Sequence, residues 1–176
     1  MQKDGRIPLS EIAKKAGISH VAILKRLRKL LERKIINVSA AIGAEEIAGS
    51  KIAVITAEVE NYSRLQELIR LFQSCPRVIF LSALSASNLM TIVFGENMST
   101  LESIIGVCSI RVQKGVRRSD VQIGEIPAYP KFIPIRVMSE RESRVAPCGA
   151  LCMDCGRFKD KMCLGCPATQ FYTGPL

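Results

Sequence analysis

The sequence predicts an α+β protein: an N-terminal helix-turn-helix, a ferredoxin-like βαββαβ domain, and a small cysteine-rich module at the end. Three observations carry this reading. Two helical patterns separated by a glycine occupy the first thirty-odd residues, β-branched strands alternate with amphipathic helices across the middle, and five of the seven cysteines fall within the last thirty residues. The parts are expected at 1–36 (helix-turn-helix), 37–50 (connector), 51–137 (ferredoxin-like) and 138–176 (linker and cysteine-rich module).

Charge separates the first part from the rest. Of the formal +9, residues 1–40 hold ten Lys and Arg against three Asp and Glu. Residues 41–137 hold ten against nine, and 138–176 five against four, so both are nearly neutral. A basic block on a folded element is the footprint of a polyanion binder.

The segment Ser10–Ala16 reads as a short helix, and Gly17 supplies its stop and a turn. Ser19 is an N-cap for a second helix running to about Lys34. On a helical wheel Ile23, Leu24, Leu27, Leu30 and Leu31 form one stripe, while Val21, Ala22, Lys25, Arg26 and Lys29 lie opposite. A helix, a glycine turn and a basic helix make the pattern whose second helix enters the major groove of double-stranded DNA. The candidate DNA-contacting residues are Ser19, His20, Val21, Ala22, Lys25, Arg26, Arg28 and Lys29. His20, the single histidine, leans toward the apolar stripe and reads first as a packed or capping residue.

The stretch from Asp4-Gly-Arg to Ile35-Ile36 resembles the DNA-binding domain of the Lrp/AsnC (feast/famine) transcription regulators, with Ser19, Ile23, Arg26, Leu30 and Ile36 at signature positions. Two features depart from the pattern. Lys34 stands where the family has glycine, so a strained helix end is expected there. The helix that precedes Asp-Gly-Arg in the family has no counterpart here, so part of the apolar faces of the other two is expected to be exposed.

In the middle, Ile35–Ile42 is a candidate strand, followed by an acidic turn between Gly43 and Gly49. Strands are then expected at 51–60, 77–86, 89–94 and 116–126, with helices at 61–74 and from a capping box at Ser99-Thr-Leu-Glu102. The strand at 51–60 is apolar on both faces: Ala53, Ile55, Ala57 and Val59 oppose Ile52 and Val54. Two helices cover one face of such a sheet, so a second copy of the chain is the simplest cover for the other. The resemblance implies the same: a ligand-binding domain that dimerises sheet on sheet and often builds octamers, with Gly115-Val-Arg-Arg-Ser119 leading into its last strand. It also implies a small-molecule effector site near Ser85, Ser87 and Asn88, where an aromatic and an Asp of the family pattern are replaced. Cys75 and Cys108 sit in apolar helical contexts and read as core thiols.

The final module reads Cys148-Gly-Ala-Leu-Cys152-Met-Asp-Cys155, then Cys163-Leu-Gly-Cys166. Cys152, Cys155, Cys163 and Cys166 make a four-thiolate zinc set, with Cys148 as a fifth or alternate ligand. An iron–sulfur cluster on Cys148, Cys152, Cys155 and one later cysteine is the alternative, and a disulfide or metal-free segment the third. So short a segment buries too little surface to fold alone, so bound metal would supply folding energy.

No apolar run reaches the roughly 18 residues of a membrane span, and the first residues do not form a signal peptide, so a cytoplasmic protein is expected. With one histidine and no phosphate-cradling glycine motif, no catalytic constellation stands out. The expectation is a dimeric DNA-binding transcription regulator responding to a small effector or to metal or redox state. A metal-dependent protein adaptor with a degenerate DNA-binding domain, and an enzyme of the siroheme-decarboxylase type, are the alternatives.

Overall fold

In the computed structural model the described residues are 5–43, 46, 51–125 and 129–175. Most of the expected acidic turn at 43–49, and the end of the strand expected to reach Ile126, lie outside them. The chain divides into two compact units, Met1–Ala40 and Ala41–Leu176. Among the described residues no helix is long and apolar enough to cross a membrane.

The first unit packs α1 (Leu9–Ala16) against α2 (His20–Glu32). Gly17 closes α1 in the left-handed region at φ 67°, a conformation glycine adopts without steric cost. The Ser19 hydroxyl accepts from the Ala22 N–H at 3.2 Å and so satisfies a free donor of α2's first turn. At the other end the Ile35 N–H bonds to the Leu30 carbonyl and the Lys34 N–H to the Leu31 carbonyl, each at 2.9 Å. That paired arrangement is a Schellman motif, and Lys34 occupies its left-handed position at φ 54°. The expected strain at Lys34 is present.

The second unit is built on a four-stranded antiparallel sheet. Its strands are β2 (Lys51–Val59), β3 (Val78–Ala83), β4 (Asn88–Gly95) and β5 (Val116–Gly124), in the order β3-β4-β2-β5. Helix α3 (Tyr62–Phe72) joins β2 to β3, and α4 (Met98–Ser103) follows β4. This is the ferredoxin-like order, each outer crossover stepping over a neighbouring strand. The register sets Ala53 opposite Val93 and Ile55 opposite Thr91. Those residues, with Ala57, Val59 and Leu89, form a buried layer under Leu65, Leu68 and Phe72 of α3 and Leu101, Ile104 and Ile105 around α4.

Three expectations change. The cap of α4 is Asn97, whose side chain accepts from the Thr100 N–H at 2.8 Å; Ser99 lies inside the helix and its hydroxyl turns elsewhere. The expected strand at 35–42 shrinks to β1 (Ile42–Gly43), paired with β6 (Phe132–Ile133). The second sheet face is not wholly bare: Phe94 is buried in a small cluster with Ile133 and Ile135, against which Ile42, Ile52 and Ile79 pack. The chain therefore covers one end of that face itself. Val54, Met90 and Ile92 stay partly exposed at its centre, and Phe80 is 44% exposed.

Candidate functional site

On α2 the residues expected to meet DNA lie open. Lys25, Arg26, Arg28 and Lys29 are exposed, Val21 is 68% exposed, and Ala22 is half-buried. Ser19 is held at the helix start as the cap. His20 is exposed as the first residue of α2, which corrects its reading as a packed residue. The apolar side of α2 is only half covered, Leu24, Leu30 and Leu31 being 37–40% exposed.

The turn expected to form an effector site is closed by its own hydrogen bonds. The Ser85 hydroxyl accepts from the Asn88 backbone N–H at 3.1 Å and from its side-chain amide at 2.9 Å. The Ser87 carbonyl accepts from the Val59 N–H at 2.7 Å. Ser85 and Asn88 line a cavity of about 450 Å³ with Glu58, Arg118 and Asp120. The spacing around the turn did not disclose that carboxylates and a guanidinium from β2 and β5 reach this cavity, because strand register alone brings them there.

The cysteine segment lies against the sheet domain as part of the same unit. Its contacts centre on α4. The Ser99 hydroxyl donates to the Met162 carbonyl at 2.8 Å, and the Leu164 N–H donates to the Thr100 hydroxyl at 3.3 Å. The Arg157 guanidinium donates to the Ser103 hydroxyl at 2.7 Å and the Ser99 carbonyl at 3.2 Å, and pairs with Glu102 at 3.3 Å. A second anchor is buried. Arg77, just before β3, forms an ion pair with Glu96, just after β4, and donates to the Gly165 carbonyl at 2.7 Å. The Tyr172 hydroxyl donates to the other Glu96 oxygen at 2.5 Å. No local spacing advertises these residues, since the network joins positions far apart in sequence.

Between this segment and the helices is a cavity of about 360 Å³. Its wall includes Cys148, Cys152, Cys155, Cys163 and Cys166, the five cysteines expected to act together. It also includes Cys75, in the turn after α3, and Cys108, closing a π-helical turn at Ile104–Cys108. Expected as core thiols, these two do pack on the core, but they also face the cavity. The remaining wall is largely apolar, with Phe72, Val78, Val93, Ile104 and Phe158. All seven cysteines are free. Among the described residues no three His, Cys, Asp or Glu side chains converge closely enough to hold one ion, so Cys152, Cys155, Cys163 and Cys166 surround the cavity without meeting at a point.

Burial raises the pKa of Cys75 and Cys163, and pushes that of Cys166 up to about 12. Cys108 and Cys148 share a hydrogen bond, which raises Cys108 above the ordinary thiol range and draws Cys148 below it.

With this geometry in hand, the comparisons with known proteins are specific at the N-terminus. Residues 1–31 match the AsnC-type helix-turn-helix domain. Among solved structures, the chain is similar to the ASNC-family transcriptional regulatory protein PF0864 from Pyrococcus furiosus, at 20% identity and a TM-score of 0.56 over 74% of this chain and 86% of that one. It is similar to E. coli AsnC at 14% identity and a TM-score of 0.58, over 70% and 83% of the two chains. It is also similar to the Mycobacterium tuberculosis leucine response regulatory protein LrpA, at 23% identity and a TM-score of 0.60, over 73% and 88%. No curated protein matches the chain. The chain thus carries an AsnC-type helix-turn-helix domain at its N-terminus and shares its fold with regulators of the Lrp/AsnC kind.

Proposed function

We propose that the protein is a cytoplasmic, dimeric DNA-binding transcription regulator whose second unit responds to a metal bound in the cysteine-lined cavity. The observation that carries the DNA-binding reading is the exposed basic face of α2, Lys25, Arg26, Arg28 and Lys29, within a match to the AsnC-type domain. These side chains meet phosphates and guanine edges, while Ser19 and the small Val21 and Ala22 let the start of α2 approach the groove. Regulation rather than catalysis is supported by two of the named structural relatives, PF0864 and LrpA, both described as regulatory proteins.

Dimerisation is supported by the partly exposed centre of the second sheet face, Val54, Met90 and Ile92. A twofold pair presents two α2 helices to half-sites about one helical turn apart, roughly 34 Å. Further association toward an octamer would multiply these contacts.

The donor chemistry of the cavity fits a thiophilic metal. Cys148, Cys152, Cys155, Cys163 and Cys166 would hold zinc or an iron–sulfur cluster, soft sulfur being the preferred ligand of both. When bound, the metal cross-links the tail turns to one another. The tail itself stays seated on α4 through Arg157, Ser99 and Thr100. The polar cavity at Ser85 and Asn88 is the second candidate effector site, favoured by the mixed charges of Glu58, Arg118 and Asp120.

The test of the DNA-binding reading is a titration of the dimer with duplex DNA over a salt series. Replacing Lys25 and Lys29 by Ala should weaken binding and reduce the slope of log K against log salt by about 0.9 for each phosphate no longer neutralised. Unchanged affinity at low salt would rule out α2 as the contacting helix.

A further inference from the structure

We propose that Cys75 and Cys108 of the sheet domain join the five tail cysteines in one site that holds a sulfide-bridged iron cluster rather than a single zinc ion. The inference rests on the reading of the tail as metal-binding and extends it to the body of the domain.

The number of donors is the first argument. A structural zinc takes four ligands. Seven cysteines face this cavity, so Cys75 and Cys108 stand on its wall among the tail cysteines as further donors. Cys148, spare in the four-ligand zinc reading, packs against the same core cluster as Cys108 and lines the same cavity, so the tail reaches the thiols of the domain.

The spread of the donors is the second. The thiols ring a volume of about 360 Å³ and no three of them close on one point. A cluster distributes its ligands in just this manner, each iron taking its own cysteine and inorganic sulfide filling the middle. Cys75 and Cys108 line the same cavity as Cys148, Cys152, Cys155, Cys163 and Cys166, so donors of both origins occupy the same wall.

The backbone around the two domain cysteines is the third. Cys108 ends a π-helical turn, which departs from the regular helix after α4; such turns concentrate at functional sites. The turn is pinned, because the Ser109 N–H donates to the Ile104 carbonyl at 2.8 Å and its hydroxyl to the Ile105 carbonyl at 2.9 Å. Cys75 is fixed between its N–H bond to Phe72 and its carbonyl's bond from Val78. Both thiols are therefore presented by stiff backbone. Arg77, paired with Glu96, lies on the same wall, and the buried Phe72, Val78 and Val93 line it beside the thiols.

The experiment uses the full-length chain purified without oxygen, assayed for iron, acid-labile sulfide and zinc, and examined by visible and iron-edge X-ray absorption spectroscopy. Iron and sulfide in comparable amounts, a broad visible charge-transfer band and iron–iron scattering are expected. Cys75→Ala and Cys108→Ala should each retain the far-ultraviolet circular dichroism of the parent and lose at least half of its iron, or shift its visible band. If either variant fails to fold, alkylation of the parent decides: Cys75 and Cys108 should be protected with metal bound and modified once a chelator has removed it. A parent holding a single zinc on four sulfurs overturns this inference and leaves the metal-binding tail standing. An iron cluster unchanged in both variants, or domain thiols that alkylate equally with and without metal, overturns it in the same way. A parent that binds neither metal, with Cys152→Ala indistinguishable from it, overturns both.

Discussion

At the scale of single residues, Arg77 and Glu96 carry the largest individual stake. Their side chains are 4% and 3% exposed, so both charges have left water and depend on each other, on the Gly165 carbonyl and on the Tyr172 hydroxyl. Arg77 also lies over the rings of Phe94 and Tyr172, with its Cζ 5.9 and 5.8 Å from their centroids. Removing one partner strands the other charge. Arg77→Met should cost about 3–5 kcal/mol in denaturant unfolding of the second unit, while the double replacement of Arg77 and Glu96 by Met and Leu should cost less than the single change. Lys34 offers a change of opposite sign. Its left-handed backbone is disfavoured for any residue with a Cβ, so Lys34→Gly should stabilise the helical unit by about 1 kcal/mol, read as a rise in the thermal midpoint of its helical signal. That position was legible in advance because a helix end makes a purely local demand on its residue. Arg77 was not, because its partners are set by strand register and by the docking of a distant segment.

At the scale of elements, caps and periodicity foretold most of the fold and misjudged its junctions. The alternation in 51–60 separated Ala53, Ile55, Ala57 and Val59, which are buried, from Ile52 and Val54, which are half-buried, since alternation in a strand depends only on the backbone. The start of α4 is displaced from its expected place because Ser99 and Glu102 imitate a capping box, while Asn97 lies two residues earlier and does the capping. Ser99 and Glu102 instead face the tail, through Met162 and Arg157. The helix thus doubles as the tail's seat, and a substitution on it can separate seat from core. Arg157→Ala removes hydrogen bonds to Ser103 and Ser99 and the pair with Glu102. It should expose the tail to limited proteolysis several-fold faster, with the sheet domain's unfolding midpoint little changed. Equal cleavage rates for parent and variant would show that Arg157 does not hold the tail.

At the scale of the whole molecule, the open sheet face and the cavity differ in how far the sequence revealed them. Two-faced strands announced an uncovered sheet face, but they could not show that Ile133 and Ile135 return to cover one end of it. The remaining centre gives a direct test. Ile92 sits opposite both Val54 and Phe80, so Ile92→Lys would place a charge in the middle of the proposed dimer contact. Light scattering should find the parent dimeric and the variant shifted toward monomer, with the dimer Kd raised at least about tenfold. The cavity was half legible: close spacing marked five cysteines, whereas Cys75 arrives from the turn after α3 and Cys108 from the π-helical turn after α4, and neither carries a spacing signal. The bond from Tyr172 to Glu96 has a practical consequence for handling the protein. A clone trimmed from Phe171 onward to tidy an apparently loose end would remove the hydroxyl that one Glu96 oxygen relies on, and with it an edge partner of the Phe158 ring. Such a clone should behave like an interior lesion, poorly soluble and quick to melt, although only a few terminal residues are gone.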